Sequence, residues 1–419
     1  MDAGETDMAH KDIGGHLHRH SDMGLRVWEG CAKFFSSALA LVCLMHVAVS
    51  AGYQATVLSH SSTQMVAVHF TPSGNVIAVS EDGMMTLWNG DTGRPVWKIS
   101  LARAPRKNDY TRIKISAMDL SPDGRTAVVA YLRFGVDQNL IDEKAGDPTR
   151  QKDSVWETHV VLVDATEGTI KKDIESVRDA SVTAVVFASS GKQVFVTTAT
   201  SIARALIKHQ SPTSTIHILN TDTGQVLRSF RSQGWIARAT LSPDDRLFAV
   251  AAQQYIEGDT AFYELQLYDP DTGKLLHNTK FETTQTAAIS SSFDGSLLAV
   301  SISGKDGLQI DLVSTDGAGK LSHIITAPRY TQARALAFIS EQHRVVLAGG
   351  RLDLSGFDDV GTPRFNDQGG VLFVVDLRTG EKLRTYAFTS FITCLAVSHD
   401  GLKMAAGMYD GRIALMRVL

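Results

Sequence analysis

Residues 66–93 read VAVHFTPSGNVIAVSEDGMMTLWNGDTG and contain three short apolar segments separated by turn residues. The first turn, residues 71–74 (TPSG), has Pro at its second position, where a fixed φ is favoured, and Gly at its fourth. Further turns at residues 81–83 (EDG) and 90–93 (GDTG) follow at short intervals. This alternation of apolar runs and tight turns predicts antiparallel β-strands joined by hairpins.

The block of apolar strand, four-residue turn and second apolar strand recurs along the rest of the chain. The first residues of the seven turns are Thr71, Ser121, Ala188, Ser242, Ser292, Ser340 and Ser398. The turn of the sixth copy is the most divergent, because it has lost Pro, Asp and Gly. In six copies a later turn, most often Asp-Thr-Gly, joins a third strand to a fourth. The pattern indicates repeated four-stranded units that bury their faces against one another.

Residues 79–89 (VSEDGMMTLWN), between the second and third strands of the first copy, resemble the corresponding signature of the WD40-repeat family. The resemblance extends over residues 54–419 and implies an all-β fold, a seven-bladed β-propeller of the degenerate bacterial type. Only the first copy has Trp (Trp88) at the end of its third strand, and no copy has the family's Gly-His dipeptide. We therefore expect the family's buried Asp-His-Ser-Trp network to be absent and apolar packing between blades to stabilise the fold.

The two ends of the repeat region are complementary. The seventh copy comprises residues 392–397, 403–407 and 412–418 and then stops without a fourth strand. Residues 54–59 (QATVLS) precede the first copy and belong to no other unit. We expect this N-terminal strand to pair with the last blade, which closes the ring and covers an exposed strand edge.

Four blades have extra residues between their second and third strands, which we label b and c in the order a to d. The four insertions are residues 131–157, 199–214, 253–262 and 351–370. In an antiparallel meander the b–c connections and the d–a links between blades, such as residues 102–112, leave from the same face. We call this the b–c face and predict that it binds a partner, although loops also tolerate insertions that have no function.

Arginine and aromatic side chains dominate interface hot spots, so those on the insertions and on the 102–112 link, with one neighbouring lysine, are our candidates for the binding face. They are Arg106, Lys107, Arg133, Phe134, Trp156, Phe357, Arg364 and Phe365. Each of these side chains could instead pack against its own loop. The expected partner is a protein or peptide, bound by a monomeric propeller.

Motifs for catalysis are missing from the sequence. It has no HExxH, no GxSxG and no GxxxxGK[ST] motif, and the repeat region contains a single cysteine, Cys394. Asp358, Asp359 and Asp367 form the one acidic cluster suited to calcium, but their spacing matches no known loop. We therefore expect no catalytic residue, no cofactor and no bound metal, and a binding module rather than an enzyme. The alternative is a periplasmic propeller enzyme or redox subunit, similar to quinoprotein dehydrogenases or lactonases.

The charge balance argues against general binding of nucleic acid. The 41 basic and 45 acidic residues give a formal net charge of -4, so there is no basic excess to neutralise a phosphate backbone.

Residues 34–52 (FFSSALALVCLMHVAVSAG) carry no formal charge. Basic residues precede this segment and none follows it before Arg94, which places the N-terminus in the cytoplasm and the body outside. We predict a leader at residues 1–33, a signal peptide or transmembrane anchor at 34–52, and the propeller at 53–419. Cleavage after Ala51 and an uncleaved inner-membrane anchor are both open, as is translation from Met1 or Met23. Either gives a periplasmic or other extracytoplasmic propeller that meets the membrane only through this segment.

Overall fold

The predicted strands can be compared one by one with a computed structural model of the chain. It describes residues 55–102, 111–136, 154–175, 180–200, 212–255, 261–281, 288–304, 307–316, 320–327, 332–339, 343–357 and 363–418. Every regular element in these ranges is a β-strand. The predicted leader and the apolar segment at 34–52 lie outside them. Among the described residues there is no helix with the length and hydrophobicity needed to cross a membrane.

The strands form seven four-stranded antiparallel sheets. Blade 1 consists of β2 (Met65–Phe70), β3 (Val76–Ser80), β4 (Met84–Trp88) and β5 (Pro95–Ser100). Blade 2 consists of β6 (Arg112–Leu120), β7 (Thr126–Val136), β8 (Ser154–Asp164) and β9 (Thr169–Glu175). Blade 3 consists of β10 (Ala180–Phe187), β11 (Gln193–Thr200), β12 (Thr213–Asn220) and β13 (Val226–Gln233).

The remaining blades repeat the same order of strands. Blade 4 consists of β14 (Trp235–Leu241), β15 (Phe248–Tyr255), β16 (Ala261–Tyr268) and β17 (Leu275–Phe281). Blade 5 consists of β18 (Ala288–Ser291), β19 (Leu297–Gly304), β20 (Gly307–Ser314) and β21 (Lys320–Ala327). Blade 6 consists of β22 (Gln332–Ile339), β23 (Arg344–Phe357), β24 (Pro363–Asp376) and β25 (Lys382–Phe388). Blade 7 consists of β26 (Ile392–Val397), β27 (Lys403–Met408), β28 (Arg412–Arg417) and β1 (Thr56–Ser59).

The seven sheets form a closed ring around a central channel. Strand a of each blade contacts strand a of the next, and β26 of blade 7 contacts β2 of blade 1. Strand β1 pairs antiparallel with β28, with Thr56 opposite Leu415 and Ser59 opposite Arg412. The predicted seven-bladed fold and its closure by the N-terminal strand are therefore both present.

Apolar side chains between the sheets stabilise the ring. The described residues contain seven buried apolar clusters, and each of them joins two neighbouring blades. Strand b contributes most strongly, since all five residues of β3 are buried. Burial of one Val, Leu or Ile side chain stabilises a fold by roughly 1.5–3 kcal/mol, so stacked strands b account for much of the stability.

The c–d turns dock onto the preceding blade. Gly168, at the turn of blade 2, has a φ of +70°. A Cβ atom at this position would lie 2.7 Å from Trp97 of blade 1, which leaves no room for a side chain. The Trp97 indole N–H donates to the Ala165 carbonyl at 3.2 Å. The recurring glycine thus serves both the turn conformation and the contact between blades.

Strand a contains one extra residue relative to strand b in six of the seven blades. The extra residues, each a β-bulge, are Val66, Ser116, Thr183, Ala237, Arg334 and Thr393. A bulge changes the direction of the side chains that follow it, here on the strands that line the channel. The sequence pattern did not predict these bulges.

In blade 1 an aspartate, a histidine, a serine and a tryptophan come together, but within the described residues no hydrogen bond joins His60 to Asp82, Ser80 or Trp88, so the family's connected network is not formed. His60 Nε2 lies 2.8 Å from the Met84 carbonyl oxygen, and its ring centroid lies 5.2 Å from that of Trp88. The Ser80 hydroxyl donates to Asp82 Oδ1 at 2.5 Å. All four residue types meet because His60, which follows β1 without a preceding glycine, supplies the imidazole.

Candidate functional site

The insertions of blades 2 and 6 are built largely as extensions of strands b and c. Strands β7 and β8 have 11 residues each and β23 and β24 have 14, against five in each of β3 and β4. Pairing continues to Val136 opposite Ser154 in blade 2 and to Phe357 opposite Pro363 in blade 6. Two β-ribbons therefore extend beyond the tight turns of blade 1 on the b–c face, where loops were expected.

Three predicted residues lie on the ribbon of blade 2. Phe134 is opposite Trp156 across the ribbon, and Arg133 is opposite Glu157. Arg133 Nη1 donates to Glu157 Oε2 at 3.2 Å, and its Nε donates to Thr111 Oγ1 at 3.2 Å. The Arg133 guanidinium therefore already has hydrogen-bond partners within its own blade. The neighbouring Phe134 is half-buried.

A polar network that the sequence analysis missed extends from Arg133 towards strand d. His159 Nδ1 lies 3.0 Å from Asp173 Oδ1, and its Nε2 lies 3.7 Å from Glu157 Oε2. The His159 ring stacks on Tyr131 with centroids 4.9 Å apart. The network fixes the base of the ribbon across strands b, c and d. The available signal was the spacing of Glu157 and His159, which places both side chains on one face of β8.

Three further predicted residues lie on the ribbon of blade 6. Phe357 is opposite Pro363, Arg364 is opposite Gly356, and Phe365 follows. The Phe365 side chain is 37% exposed. Blades 2 and 6 are separated by blades 1 and 7 on one side of the ring and by three blades on the other, so the predicted residues form two patches. Arg106 and Lys107 lie outside the described residues.

Asp367, at the base of the same ribbon, orders the link to blade 7. Its Oδ2 accepts a hydrogen bond from the Ser390 hydroxyl at 2.5 Å, and its Oδ1 accepts from the amides of Phe391 and Gly369 at 2.8 and 2.9 Å. The other two members of the predicted acidic cluster, at positions 358 and 359, are not among the described residues. In the described ranges no group of three His, Cys, Asp or Glu side chains could hold a metal ion.

The opposite face consists of short turns closed by their own side chains. In four a–b turns a serine hydroxyl donates to the aspartate two residues later at 2.6 Å. These hydrogen bonds lower the pKa of the turn aspartates, and that of Asp294 to about 2. The four pairs are Ser121 and Asp123, Ser242 and Asp244, Ser292 and Asp294, and Ser398 and Asp400.

A groove of about 460 Å³ lies on this opposite face between blades 2 and 3. Its lining carries both signs of charge, including Asp123, Asp222, Lys171 and Lys192. Lys171 forms an ion pair with Asp164 at 3.1 Å.

Comparison with protein families gives two matches. A family model described as PQQ_2, outer membrane protein assembly factor BamB, matches residues 150–415, which is more than half of the chain. A model described as WD40, WD domain, G-beta repeat, matches residues 52–89, which contain β1 and the first three strands of blade 1. No curated protein is matched by the chain. With seven blades, a WD40-like first repeat and a match from blade 2 to blade 7, the chain belongs to the PQQ_2 family, whose description is outer membrane protein assembly factor BamB.

Proposed function

We propose that this protein is an exported scaffold that binds a protein or peptide partner on its b–c face. The observation that carries the proposal is the pair of β-ribbons in blades 2 and 6, which extend that face while the opposite face keeps short, closed turns. Interaction surfaces are commonly built on elements that project from a rigid scaffold.

The chemistry of the ribbon in blade 6 supports this proposal. Phe365 is partly exposed on a strand whose neighbour across the ribbon is Leu354. An aromatic side chain offers a large contact area for a small loss of conformational entropy, which suits an anchor in a protein interface. The family description, outer membrane protein assembly factor, also agrees with a role in binding other proteins.

The proposed location is extracytoplasmic. The basic residues before the apolar segment at 34–52, and the lack of any between it and Arg94, support export of the body. The family description, which names the outer membrane, agrees with an extracytoplasmic location. Mass measurement of the protein from an envelope fraction distinguishes the two forms: cleavage gives a chain that begins at Gly52, and an inner-membrane anchor retains residues 34–52.

A photo-crosslinking experiment on the full-length chain tests the docking face. Benzoylphenylalanine replaces Phe365 on the b–c face or Phe293 on an a–b turn of the opposite face; these side chains are 37% and 50% exposed, so they form a matched pair. We expect partner crosslinks from position 365 and few from 293. Equal crosslinking from both positions, or crosslinking from 293 alone, contradicts the proposal.

Shortening the ribbon of blade 2 provides an independent test. Residues 133–157 are replaced by Asn-Gly, a two-residue turn that can join the paired Leu132 and Thr158. We expect the shortened chain to fold and to lose partner capture, while Lys192→Ala on the opposite face captures normally. Full capture by the shortened chain contradicts docking on this ribbon. Substrate turnover or a cofactor absorption band in the intact protein favours an enzyme or redox subunit instead.

A further inference from the structure

Two arginines lie at a ring of small residues in the central channel, Arg238 within the ring and Arg334 next to it. In every blade, one residue of strand a occupies the equivalent position in the pairing with strand b. In five blades this residue is alanine. The seven residues are Ala67, Ala117, Ala184, Arg238, Ala288, Ala335 and Cys394. Arg334, the bulge residue of blade 6, directly precedes Ala335. Arg238 and Arg334 therefore lie at one level of the channel, on either side of blade 5 and near the b–c face.

The two guanidinium groups have few partners. Arg238 Nη1 donates to the Ala237 carbonyl at 2.7 Å, and Arg334 Nη2 lies 3.5 Å from Gln332 Oε1. The Arg334 guanidinium carbon lies 5.8 Å from the centre of the Phe391 ring. Within the described part of the chain, neither guanidinium forms an ion pair with a carboxylate.

The surroundings make both charges costly. Burial, together with the nearby charge of Arg334, lowers the pKa of Arg238 to about 10. Burial also lowers the pKa of Arg334, and the Tyr263 phenol opposes that shift. Both residues are half-buried and carry like charges, and the charge of Arg334 acts on Arg238, so the two groups lie close enough to repel each other. An anion between them would replace their repulsion with two attractive contacts.

We propose that Arg238 and Arg334 form a carboxylate-binding site in the central channel. A guanidinium presents two parallel N–H groups that match the two oxygens of a carboxylate, and two such groups can hold one polycarboxylate. The equivalent residues of the other blades are alanine or cysteine, so none of them adds a bulky side chain at this level. The ligand is a free polycarboxylate or the acidic side chain of a docked peptide. This site goes beyond the docking role, since a free ion is sufficient to fill it.

Citrate binding to the full-length protein, measured by calorimetry at low ionic strength, tests the site. We expect saturable binding to one site, and a loss of about tenfold or more in affinity for Arg238→Gln and for Arg334→Gln separately. Arg246→Gln is the matched control, because its side chain is 87% exposed on an a–b turn of the opposite face. Arg246→Gln should bind citrate as the unmodified protein does.

A tetraglutamate peptide, with tetraglutamine as its neutral counterpart, distinguishes the two sources of carboxylate. Competition between tetraglutamate and citrate indicates a peptide ligand, and citrate binding alone indicates a free ion. Thermal unfolding without ligand checks that both variants fold; we expect them to be at least as stable as the unmodified protein. No citrate or tetraglutamate binding, or binding that survives both substitutions in folded protein, overturns the site. Citrate binding that persists when crosslinking at 365 fails leaves this site standing without the docking role.

Discussion

In blade 1 a three-residue turn at 81–83 joins strands b and c, whereas in blade 6 the same strands extend into a ribbon that ends at Phe357 and Pro363. The inner parts of the two sheets are nevertheless alike. Residues 76–79 of blade 1 and 345–348 of blade 6 are all completely buried. The buried half of strand b therefore fixes the ring, and the part of the blade that lies beyond it on the b–c face is free to diversify.

The two blades also differ in how their connections are held. Blade 1 encloses His60, Ser80 and Asp82 in hydrogen bonds beside Trp88. Blade 6 instead uses Asp367 to hold the link that leads into blade 7. The side-chain hydrogen bonds that hold a connection thus differ from blade to blade, whereas apolar packing between sheets is common to all blades.

The largest expected effect tests whether the two cores are equivalent. Ile77 in blade 1 and Leu347 in blade 6 are both completely buried on strand b. We expect Ile77→Ala and Leu347→Ala each to lower the free energy of unfolding by about 2–5 kcal/mol, because each leaves a cavity between blades. Denaturant unfolding measures both, with Leu402→Ala, at a side chain 65% exposed, as the control. A cost below about 1 kcal/mol in either blade would show that the cores are not equivalent.

The next effect is specific to blade 1 and depends on pH. Burial lowers the pKa of His60 to about 4, from an ordinary value of 6.5. The unfolded chain therefore binds a proton that the folded chain does not, and stability is lost as the pH falls from 6.5 towards 4. The loss is on the order of 3 kcal/mol.

His60→Gln should flatten this pH dependence, whereas His343→Gln at an exposed position of blade 6 should leave it unchanged. Unfolding curves measured from pH 7 to pH 4 give the slopes. Equal slopes for the unmodified protein and His60→Gln would mean that the blade 1 imidazole is not buried in neutral form.

The smallest effect concerns a–b turns in which glycine has been replaced. His343 in blade 6 and Asp245 in blade 4 have φ angles of 52° and 58°. The Asp245 carboxylate accepts hydrogen bonds from the Ser189 amide and hydroxyl at 2.8 and 2.6 Å. We expect His343→Gly to stabilise the protein by about 0.5–1 kcal/mol, since it relieves left-handed strain, and Asp245→Gly to destabilise it. Melting temperatures of the two variants measure this; a destabilised His343→Gly would contradict the strain argument.

The strands, the number of blades and the closing strand could be predicted because turn residues and apolar triplets lie close together in the sequence. Turns such as residues 121–124 (SPDG) specify their backbone conformation locally. The sequence could not distinguish a ribbon from a loop in blade 2, because either one accounts for the same long insertion between strands b and c. His60 was not recognised as the counterpart of the family's histidine, because Ser59 precedes it where the family's Gly-His dipeptide has glycine.

The sequence pattern could not predict which side chains line the channel. A bulge depends on which residues of two strands face each other, and Arg238 and Arg334 come together only when the ring closes. Of the predicted binding residues, those that are neighbours along one hairpin were brought together, as Phe134 and Trp156 were. Local spacing therefore predicted patches within blades, but no relation between blades.

Ring closure by β1 is the central claim, and a designed disulfide tests it most directly. Val57 and Ala414 are directly opposite on β1 and β28, whereas Ile413 points to the other face of the sheet. Opposed residues of antiparallel strands have Cα atoms about 4.5–5.5 Å apart, within the range of a disulfide. Under mild oxidation, peptide mapping should find a disulfide in Val57→Cys with Ala414→Cys and none in Val57→Cys with Ile413→Cys. The reverse result, or no disulfide in either variant, would contradict closure in this register.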